Sequence, residues 1–422
     1  MGLWLILVHA SDAHAQIELD RFFPPVIVVG EETLITAEGK FPQWPPEFDC
    51  DHDGVDILAE KDSGKLKVRV AKDATAGVAW VRIFDDQSAS SLIPLLISPV
   101  PVTVESEPND KRIDANVLLL PALVAGRLPK NGDSDAYRVT IKGGQQLVAS
   151  ITANQILKSP MDAVMQLTDV DGHVLVQSDD VRGLDPQIVY TAPSDQDLLI
   201  RVFAFPETPN STVGFGGASN FVYTMTVTTD AFVDHIADAD GQVAPYGYNL
   251  SQANVPLLAC ATEVSPVIAS VQDGLGWAWR APLESSWGRV LFQGPVAVEL
   301  PVVVSGHITD PNETHSVSFT AAKGDKYRAA VRSKSDGFLL DSKLNIVQRS
   351  TGKQLASNDD ASRSQYDASV DFSAKEDGEI EVRLSDVVEG FGPRHFYQLS
   401  IQKLAPDFRL SVNADHFLVA QD

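Results

Sequence analysis

Short runs of alternating apolar and polar residues, rich in β-branched and aromatic side chains, dominate the chain. A period of two is typical of β-strands with one buried face. Turn-forming segments such as KNGDSD, DVDG and STGK separate the runs, and no long stretch has the period of an amphipathic helix. The pattern predicts an all-β fold of tandem β-sandwiches. The clearest strand-like runs are LKVRVA (66–71), VAWVRIF (78–84), AYRVTI (136–141), LLIRVFAF (198–205), FVYTMTV (221–227), IEVRLSDV (380–387) and FYQLSI (396–401).

An internal repeat, in which matching residues lie 180 positions apart, sets the expected organisation. Glycine and aspartate recur at turns because those backbone positions demand them. The repeat predicts two copies of one β module. The matching pairs are Pro121 and Pro301, Val124 and Val304, Gly126 and Gly306, Gly144 and Gly324, Gly172 and Gly352, Leu175 and Leu355, and the Asp179-Asp180 and Asp359-Asp360 dipeptides.

The segments around the two copies complete the expected division of the chain. Both segments that precede a copy contain strand and turn signals of a small immunoglobulin-like module. The expected parts are a signal peptide (1–15), an immunoglobulin-like module (16–104), a long sandwich (105–229), a small immunoglobulin-like module (230–297), a second long sandwich (298–404), and the start of a further module or a tail (405–422).

Charge and composition narrow the function classes. The chain has 422 residues with 57 acidic and 33 basic side chains, which gives a formal net charge of −24. Such a balance disfavours binding to nucleic acid or to anionic lipid, and it is compatible with cations as ligands. The two cysteines, Cys50 and Cys260, lie in different expected modules and form no metal-binding or disulfide pattern.

The N-terminus predicts export. The apolar run GLWLILV and the Ala13-His14-Ala15 segment before Gln16 resemble a secretory signal peptide without its basic start. The alternative is a frayed hydrophobic N-terminus. No other apolar run approaches the roughly 20 residues of a membrane span. We therefore expect a secreted or cell-surface protein.

The order ESEPND (105–110), GDSDAYRVTI, DGHVLVQSDD and FVYTMTV resembles the bacterial pre-peptidase C-terminal domain family, which is similar to the collagen-binding domains of collagenases. The later copy keeps HSVSFTAAKGD, STGKQLASNDD and FYQLSI. The flanking modules look like those of large secreted planctomycete-type proteins. The resemblance implies two non-catalytic, jelly-roll-like sandwiches that accompany secreted peptidases and other exported proteins. It also implies a Ca²⁺ site, whose ligands by motif are Glu105, Glu107, Asn109, Asp110, Asp133 and Asp135.

The residues themselves support the same chemistry. Calcium takes six to eight oxygen ligands, and an extended ESEPND segment projects the side chains of 105, 107 and 109 to one side. Asp133 and Asp135 repeat that alternation. A Ca²⁺ ion bound by both groups would offset their mutual repulsion and hold the linker against the sandwich. The alternative is a solvated acidic linker between two modules.

The later copy is an internal control. Its positions equivalent to Asp133 and Asp135 are Glu313 and His315, and no EPN-like segment precedes it. We expect no calcium there. Separately, DCDHDGVDILAE (49–60) fits the EF-hand loop template at Asp49, Asp51, Asp53, Gly54 and Glu60. Prolines 45 and 46 rule out a long entering helix, so an acidic loop and a hairpin are favoured over a calcium loop.

Signatures of catalysis are absent from the sequence: no HExxH, GxSxG, Walker A or dinucleotide motif occurs. We therefore expect no enzyme, but a β protein for adhesion, substrate targeting or spacing that binds an extracellular protein or polysaccharide. One alternative is an accessory region of a larger secreted peptidase. Another is a carbohydrate-binding protein that uses Trp277 and Trp279, although core packing is the favoured role for tryptophans in these segments, including Trp44 and Trp287. The paired aspartates at 179–180 and 359–360 are expected to fix turns.

Overall fold

The computed structural model describes residues 16–206, 214–239, 242–250, 257–258, 270–271, 279–280 and 287–405. The expected signal peptide, nearly all of the C-terminal tail, Cys260 and Trp277 lie outside these ranges. Within the described residues the protein is all-β, as the sequence predicts, with one 3₁₀ helix at Lys334–Asp336. No helix among them is both long and apolar enough to cross a membrane.

The N-terminal module packs two four-stranded sheets, with strand orders β1-β3-β6-β5 and β2-β8-β7-β4. Alternate side chains of β6 and β7, such as Leu66, Val68 and Val81, are buried between the sheets, which is the arrangement that their period of two predicts. Its strands are β1 (Glu18–Phe23), β2 (Val26–Val28), β3 (Glu32–Lys40), β4 (Glu47–Cys50), β5 (Val55–Ala59), β6 (Lys65–Val70), β7 (Gly77–Phe84) and β8 (Ile93–Ser98).

Sandwich one follows, with two five-stranded sheets in the orders β10-β12-β17-β14-β15 and β16-β13-β18-β11-β9. Its strands are β9 (Val102–Val104), β10 (Asn116–Val117), β11 (Ala122–Arg127), β12 (Asp135–Ile141), β13 (Gln146–Thr152), β14 (Ala163–Asp169), β15 (Val174–Ser178), β16 (Gln187–Thr191), β17 (Gln196–Ala204) and β18 (Val222–Thr228). Strand β9 falls in the range expected for the first module, but its backbone pairs in parallel with β11 of sandwich one.

The middle segment contains a sheet of order β20-β19-β23 and a two-stranded pair, β21-β22. Its strands are β19 (Phe232–Ala239), β20 (Gln242–Tyr248), β21 (Leu257–Leu258), β22 (Ser270–Val271) and β23 (Trp279–Arg280).

Sandwich two has sheets of order β25-β27-β32-β29-β30 and β24-β26-β33-β28-β31, the same arrangement as sandwich one strand for strand. Its strands are β24 (Gly288–Leu291), β25 (Val296–Ala297), β26 (Val302–His307), β27 (Thr314–Ala321), β28 (Lys326–Arg332), β29 (Ser342–Gln348), β30 (Lys353–Asn358), β31 (Ser369–Ser373), β32 (Gly378–Asp386) and β33 (Phe396–Lys403). Strands β24 and β25 fall in the range expected for the middle module, yet they pair with β26 and β27.

A buried charge network joins the two sandwiches through β19. Asp234 accepts hydrogen bonds from Arg394 of sandwich two and, at 3.0 Å, from Gln187 Nε2 of sandwich one. Arg182 Nε of sandwich one lies 3.7 Å from Asp234 Oδ1. Arg394 also donates to Gly337 O at 2.6 Å. All four side chains that surround this point are buried, so charge pairing replaces hydration there.

Candidate metal centre

The segment Glu105–Asp110 continues the line of β9 and lies against sandwich one. The Glu105 N–H donates to Ala125 O at 3.0 Å, which extends the pairing of β9 with β11 by one residue. The Glu105 carboxylate accepts a hydrogen bond from Arg127 N at 2.9 Å. These two contacts bring the first predicted ligand to the end of the sandwich, while the preceding β9 fixes the direction of the segment.

Strand β12 supplies the second group of predicted ligands. Asp135 and Tyr137 are two residues apart, so they share the buried face of the strand. Asp133 lies in the turn just before β12 and is also fully buried. The structure therefore brings the 105–110 segment and the 133–135 turn together, as the sequence predicts.

Two buried tyrosines link these groups. The Tyr137 hydroxyl donates to Glu105 Oε2 at 3.2 Å and lies 2.7 Å from the Tyr223 hydroxyl, which donates to Asp135. A Cβ atom on Gly126 would lie 2.4 Å from the Tyr223 hydroxyl and 2.8 Å from Glu105 Oε2. Only glycine leaves room for this arrangement, and that explains the glycine at this position of the repeat.

Asn109 lies at the centre of the cluster and is fully buried. Its backbone carbonyl accepts from Ala136 N at 3.0 Å, and its backbone N–H donates to Glu107 Oε2 at 3.0 Å. One terminal atom of its side-chain amide lies 3.1 Å from Glu107 Oε2 and 3.0 Å from Asp135 Oδ1. Without a cation, the amide nitrogen must occupy this position and donate to both carboxylates. With a cation between them, the amide oxygen can turn inward as a ligand.

Asp133 is the least compensated member of the cluster. Both of its carboxylate oxygens are buried and lack a hydrogen-bond partner. The nearest cationic atom is Lys130 Nζ, 3.9 Å away on an exposed side chain. The Asp110 carboxyl lies within hydrogen-bonding distance, but it carries the same charge. A buried carboxylate without a partner is costly, so this side chain requires a proton or a cation.

The electrostatics of the cluster follow from burial among like charges. Burial raises the pKa of Glu105 to about 7. Burial and the charge of Glu107 raise the pKa of Asp133 to about 6, and burial and the charge of Glu105 raise the pKa of Asp135 well above its ordinary value. The Glu105 and Asp135 carboxyl groups lie within hydrogen-bonding distance of each other. Such facing carboxyl groups are stable only with a shared proton or a bound cation.

The donor set fits a hard cation, although no three of its carboxylates have oxygen atoms within 4.8 Å of one another. Carboxylate and amide oxygens are the ligands that Ca²⁺ takes, and the six predicted side chains are five carboxylates and one amide. Among the described residues, one group alone has three acidic or histidine ligand atoms all within 4.8 Å of one another, and it lies elsewhere. Glu107 is exposed and Asp110 is half-buried, so these two side chains are placed to close over an ion.

Sandwich two shows what the same position looks like with other residues. Phe292 N donates to Ser305 O at 2.8 Å, the counterpart of the Glu105 to Ala125 bond. Phe292 therefore takes the place of Glu105, and its ring stacks on His315 with centroids 3.9 Å apart. His315 hydrogen bonds to the Tyr397 hydroxyl at 2.7 Å and to Glu313 Oε1 at 2.8 Å.

Other motifs that the sequence singled out have structural roles. The EF-hand-like segment comprises the end of β4, a turn at 51–54 and β5, which pairs with β6 as a hairpin. Asp49 pairs with Arg82 of β7, and Asp51 accepts from Trp80 N at 2.7 Å. The carboxylates of Asp179 and Asp359 each accept from the N–H of the next residue. Trp44 packs against the core of the first module. Calcium binding by the 49–60 segment stays an untested alternative.

Sequence reasoning missed the group in which three ligand atoms come together, at Asp169, Asp171 and His173. The signal was the DVDGH turn itself. The Asp169 carboxylate accepts from the N–H groups of Asp171 and His173, both at 2.9 Å, and from His173 Nδ1 at 2.8 Å. Since the turn already satisfies this carboxylate, we assign it a structural role.

Comparison with known proteins gives remote structural likenesses. The pre-peptidase C-terminal domain of collagenase from Bacillus anthracis is 15% identical over 26% of this chain and 97% of that domain, with a TM-score of 0.22. The Salmonella Typhimurium periplasmic lysozyme inhibitor PliG is 15% identical over 27% of this chain and all of its own, with a TM-score of 0.21. The Bacteroides ovatus protein SGBP-B, solved with a mixed-linkage heptasaccharide, is 9% identical over 90% of this chain and 74% of its own, with a TM-score of 0.16.

No family model and no curated protein matches this chain. One structural neighbour belongs to the family that the sequence resembles. The likenesses are too remote to transfer a residue or a ligand. That both sandwiches belong to this family, and that the flanking modules are immunoglobulin-like, remain predictions.

Proposed function

We propose that this protein is an exported, non-enzymatic binding or spacing protein, in which Ca²⁺ holds the Glu105–Asp110 segment against sandwich one. Its partner would be an extracellular protein or polysaccharide. The observation that supports the calcium site most strongly is Asp133, whose two buried oxygens have no hydrogen-bond partner while Glu107 and Asp110 add charge of the same sign. Bound Ca²⁺ would neutralise these groups and fix the linker.

The proposed ligands differ in how firmly the structure holds them. Glu105 and Asp135 are held in place by the two tyrosine hydroxyls, so they provide a rigid floor. Asn109 is fixed through its backbone and can turn its amide oxygen inward. Glu107 and Asp110 are more accessible and can close the site from the solvent side. Preorganised oxygens at the floor and accessible ones at the rim suit a site that the ion enters from solvent.

The test is a calcium titration of the full chain by calorimetry, with thermal unfolding measured in parallel. We expect one saturable site and a raised melting temperature, since an ion that binds only the folded state stabilises by about 2.7 kcal/mol at a hundredfold excess over Kd. Asp133→Asn should abolish both signals. Glu313→Gln is the matched control in sandwich two and should leave the calcium stoichiometry unchanged.

Two results would count against the proposal. If the unchanged protein shows neither binding heat nor a thermal shift, the segment is an acidic linker and the site does not exist. If Asp133→Asn binds calcium like the unchanged protein, the ion lies elsewhere. Separately, peptidase activity in the purified chain would contradict its non-enzymatic part.

A further inference from the structure

A groove on the outer face of sandwich one gathers positive charge in a strongly acidic protein. Its volume is about 740 Å³. It lies where the loop after β9 and the β14–β15 turn pass over the sheet. Its lining residues are Asp110, Lys111, Arg112, Ile113, Arg138, Val170, Asp171, Gly172 and Arg201. Four of these are basic, against two acidic, although the chain as a whole carries a net charge of −24.

The four basic groups of this groove are not neutralised by neighbours. Arg112 donates to Val170 O at 3.2 Å, Arg138 to Arg112 O at 3.4 Å, and Arg201 to Gln166 Oε1 at 3.4 Å. All three acceptors are uncharged. Within the described part of the chain, neither these arginines nor Lys111 forms an ion pair with a carboxylate. Their charge is available to a ligand.

The sheet fixes the spacing of two of these groups. Arg201 on β17 faces Ala136 of β12 in the strand register, so it shares the outer face with Arg138, two residues along β12. Both strands are central in the order β10-β12-β17-β14-β15. Hence the groove offers fixed guanidinium groups on a sheet face, whereas Lys111 and Arg112 approach from the loop.

Sandwich two lacks this groove chemistry at the equivalent positions. Ser318 occupies the position of Arg138, and Arg383 that of Arg201, as the matching strand registers show. Glu381, in the place of Leu199, neutralises Arg383 through bonds of 2.7 and 3.0 Å. The positive groove is therefore a property of sandwich one and not of the shared fold.

We propose that this groove binds the carboxylate or sulfate groups of an acidic polysaccharide. Paired guanidinium groups match the oxygen geometry of both anions. The exposed apolar side chains of Ile113 and Val170 stand beside the charges and can cover a sugar ring. An acidic peptide fits less well, because peptides commonly add to an unpaired strand edge, and this groove lies over central strands. Asp110 lines the groove and also belongs to the proposed calcium site. The arginines that carry this proposal are not calcium ligands, so it does not depend on calcium binding.

The experiment titrates the full chain at low ionic strength with three probes: oligogalacturonate, which carries carboxylates, dextran sulfate, and neutral dextran. We expect one or both anionic probes to bind, neutral dextran to fail, and added salt to weaken binding. The relative affinities of the two anionic probes identify the anion. The double variant Arg138→Gln, Arg201→Gln should lose about a hundredfold in affinity, because two charged groups are removed and each charged hydrogen bond contributes about tenfold. Arg383→Gln, the matched control, should bind like the unchanged protein.

Three outcomes would overturn the proposal. One is the absence of binding to both anionic probes, and another is unchanged affinity in the double variant. The third is tighter binding of poly-glutamate than of either polysaccharide, which would assign the groove to an acidic peptide. Calcium titration of the double variant separates the two sites, because its calcium stoichiometry should stay normal.

Discussion

The two sandwiches share one strand order, yet they differ at one corner. We use this word for the place where the segment after β9 meets the start of β12 in sandwich one, and where the segment after β24 meets the start of β27 in sandwich two. In sandwich one, Glu105 and Asp135 face each other beside Tyr223, and negative charge accumulates. In sandwich two, Phe292 and His315 stack beside Tyr397, and Glu313 closes a hydrogen-bonded chain. The tyrosine and the glycine beneath it are kept in both copies. Thus the fold requires the tyrosine and the glycine. The other residues decide whether the polar groups of the corner satisfy one another or leave a negative charge that a cation could neutralise.

The largest expected effect comes from giving sandwich two the residues of sandwich one. The double substitution Phe292→Glu, His315→Asp places two acidic groups side by side beside Glu313, with only the Tyr397 hydroxyl to donate to them and no cation to pair with them. We expect a loss of about 3–5 kcal/mol in the free energy of unfolding, the cost of leaving buried charge uncompensated. Chemical denaturation in EDTA measures it.

The control for that substitution is Phe292→Leu, which removes the stacked ring but adds no charge. It should cost less than about 1.5 kcal/mol. If the double substitution costs no more than this control, packing rather than charge distinguishes the two corners.

A smaller effect, of opposite sign in the two copies, is expected for neutralising one acid in each. In EDTA, Asp133→Asn should stabilise the protein by about 1–3 kcal/mol, because the new amide can donate to the Glu107 or Asp110 carboxylate. Glu313→Gln should destabilise it by about 1 kcal/mol, since Glu313 accepts from Thr309 N at 2.7 Å and from Asp310 N at 3.1 Å. Denaturation curves of both variants decide this; a shared sign would contradict the comparison.

The smallest expected effect is in the acid response of sandwich two. Burial disfavours the Glu313 carboxylate, but hydrogen bonds from Thr309 N and His315 outweigh it and lower the pKa to about 2. A lowered pKa in the folded state means that this contribution to stability is present above the unfolded pKa near 4.5 and is lost as the pH falls toward 2. The stability difference between the unchanged protein and Glu313→Gln should therefore shrink over that range. A difference that is constant with pH would remove the role assigned to this carboxylate.

The sequence predicts the strands and the repeat because both depend on local chemistry: alternation sets strand faces, and glycine and aspartate set turns. It also predicts that the 105–110 segment lies beside Asp133 and Asp135, which the structure shows, while calcium binding by these residues stays a prediction. It does not reveal that Phe292 replaces Glu105, because these residues are 187 positions apart, whereas the pairs that define the repeat are 180 apart. Only the pairing of β9 and β24 with their neighbours shows the correspondence.

Long-range partners were likewise invisible. Tyr137 and Tyr223 look like ordinary core residues in their strands, and only the closed sandwich brings their hydroxyls within 2.7 Å. The basic groove combines residues from a loop, two strands and a turn, and no local pattern joins them. For a related reason, the expected module boundaries at 104 and 297 place β9 and β24 in the wrong modules. The module to which a strand belongs depends on the strand it pairs with and not on its own sequence alone.

The charge network around Asp234 has a mechanical consequence. Bending the chain between the sandwiches would pull Arg394 away from Asp234 and leave buried charges uncompensated, at a cost of several kcal/mol. A conformation that costs several kcal/mol is only a minor state of the thermal ensemble. Reorientation of one sandwich relative to the other at β19 therefore requires that this buried charge network be broken first.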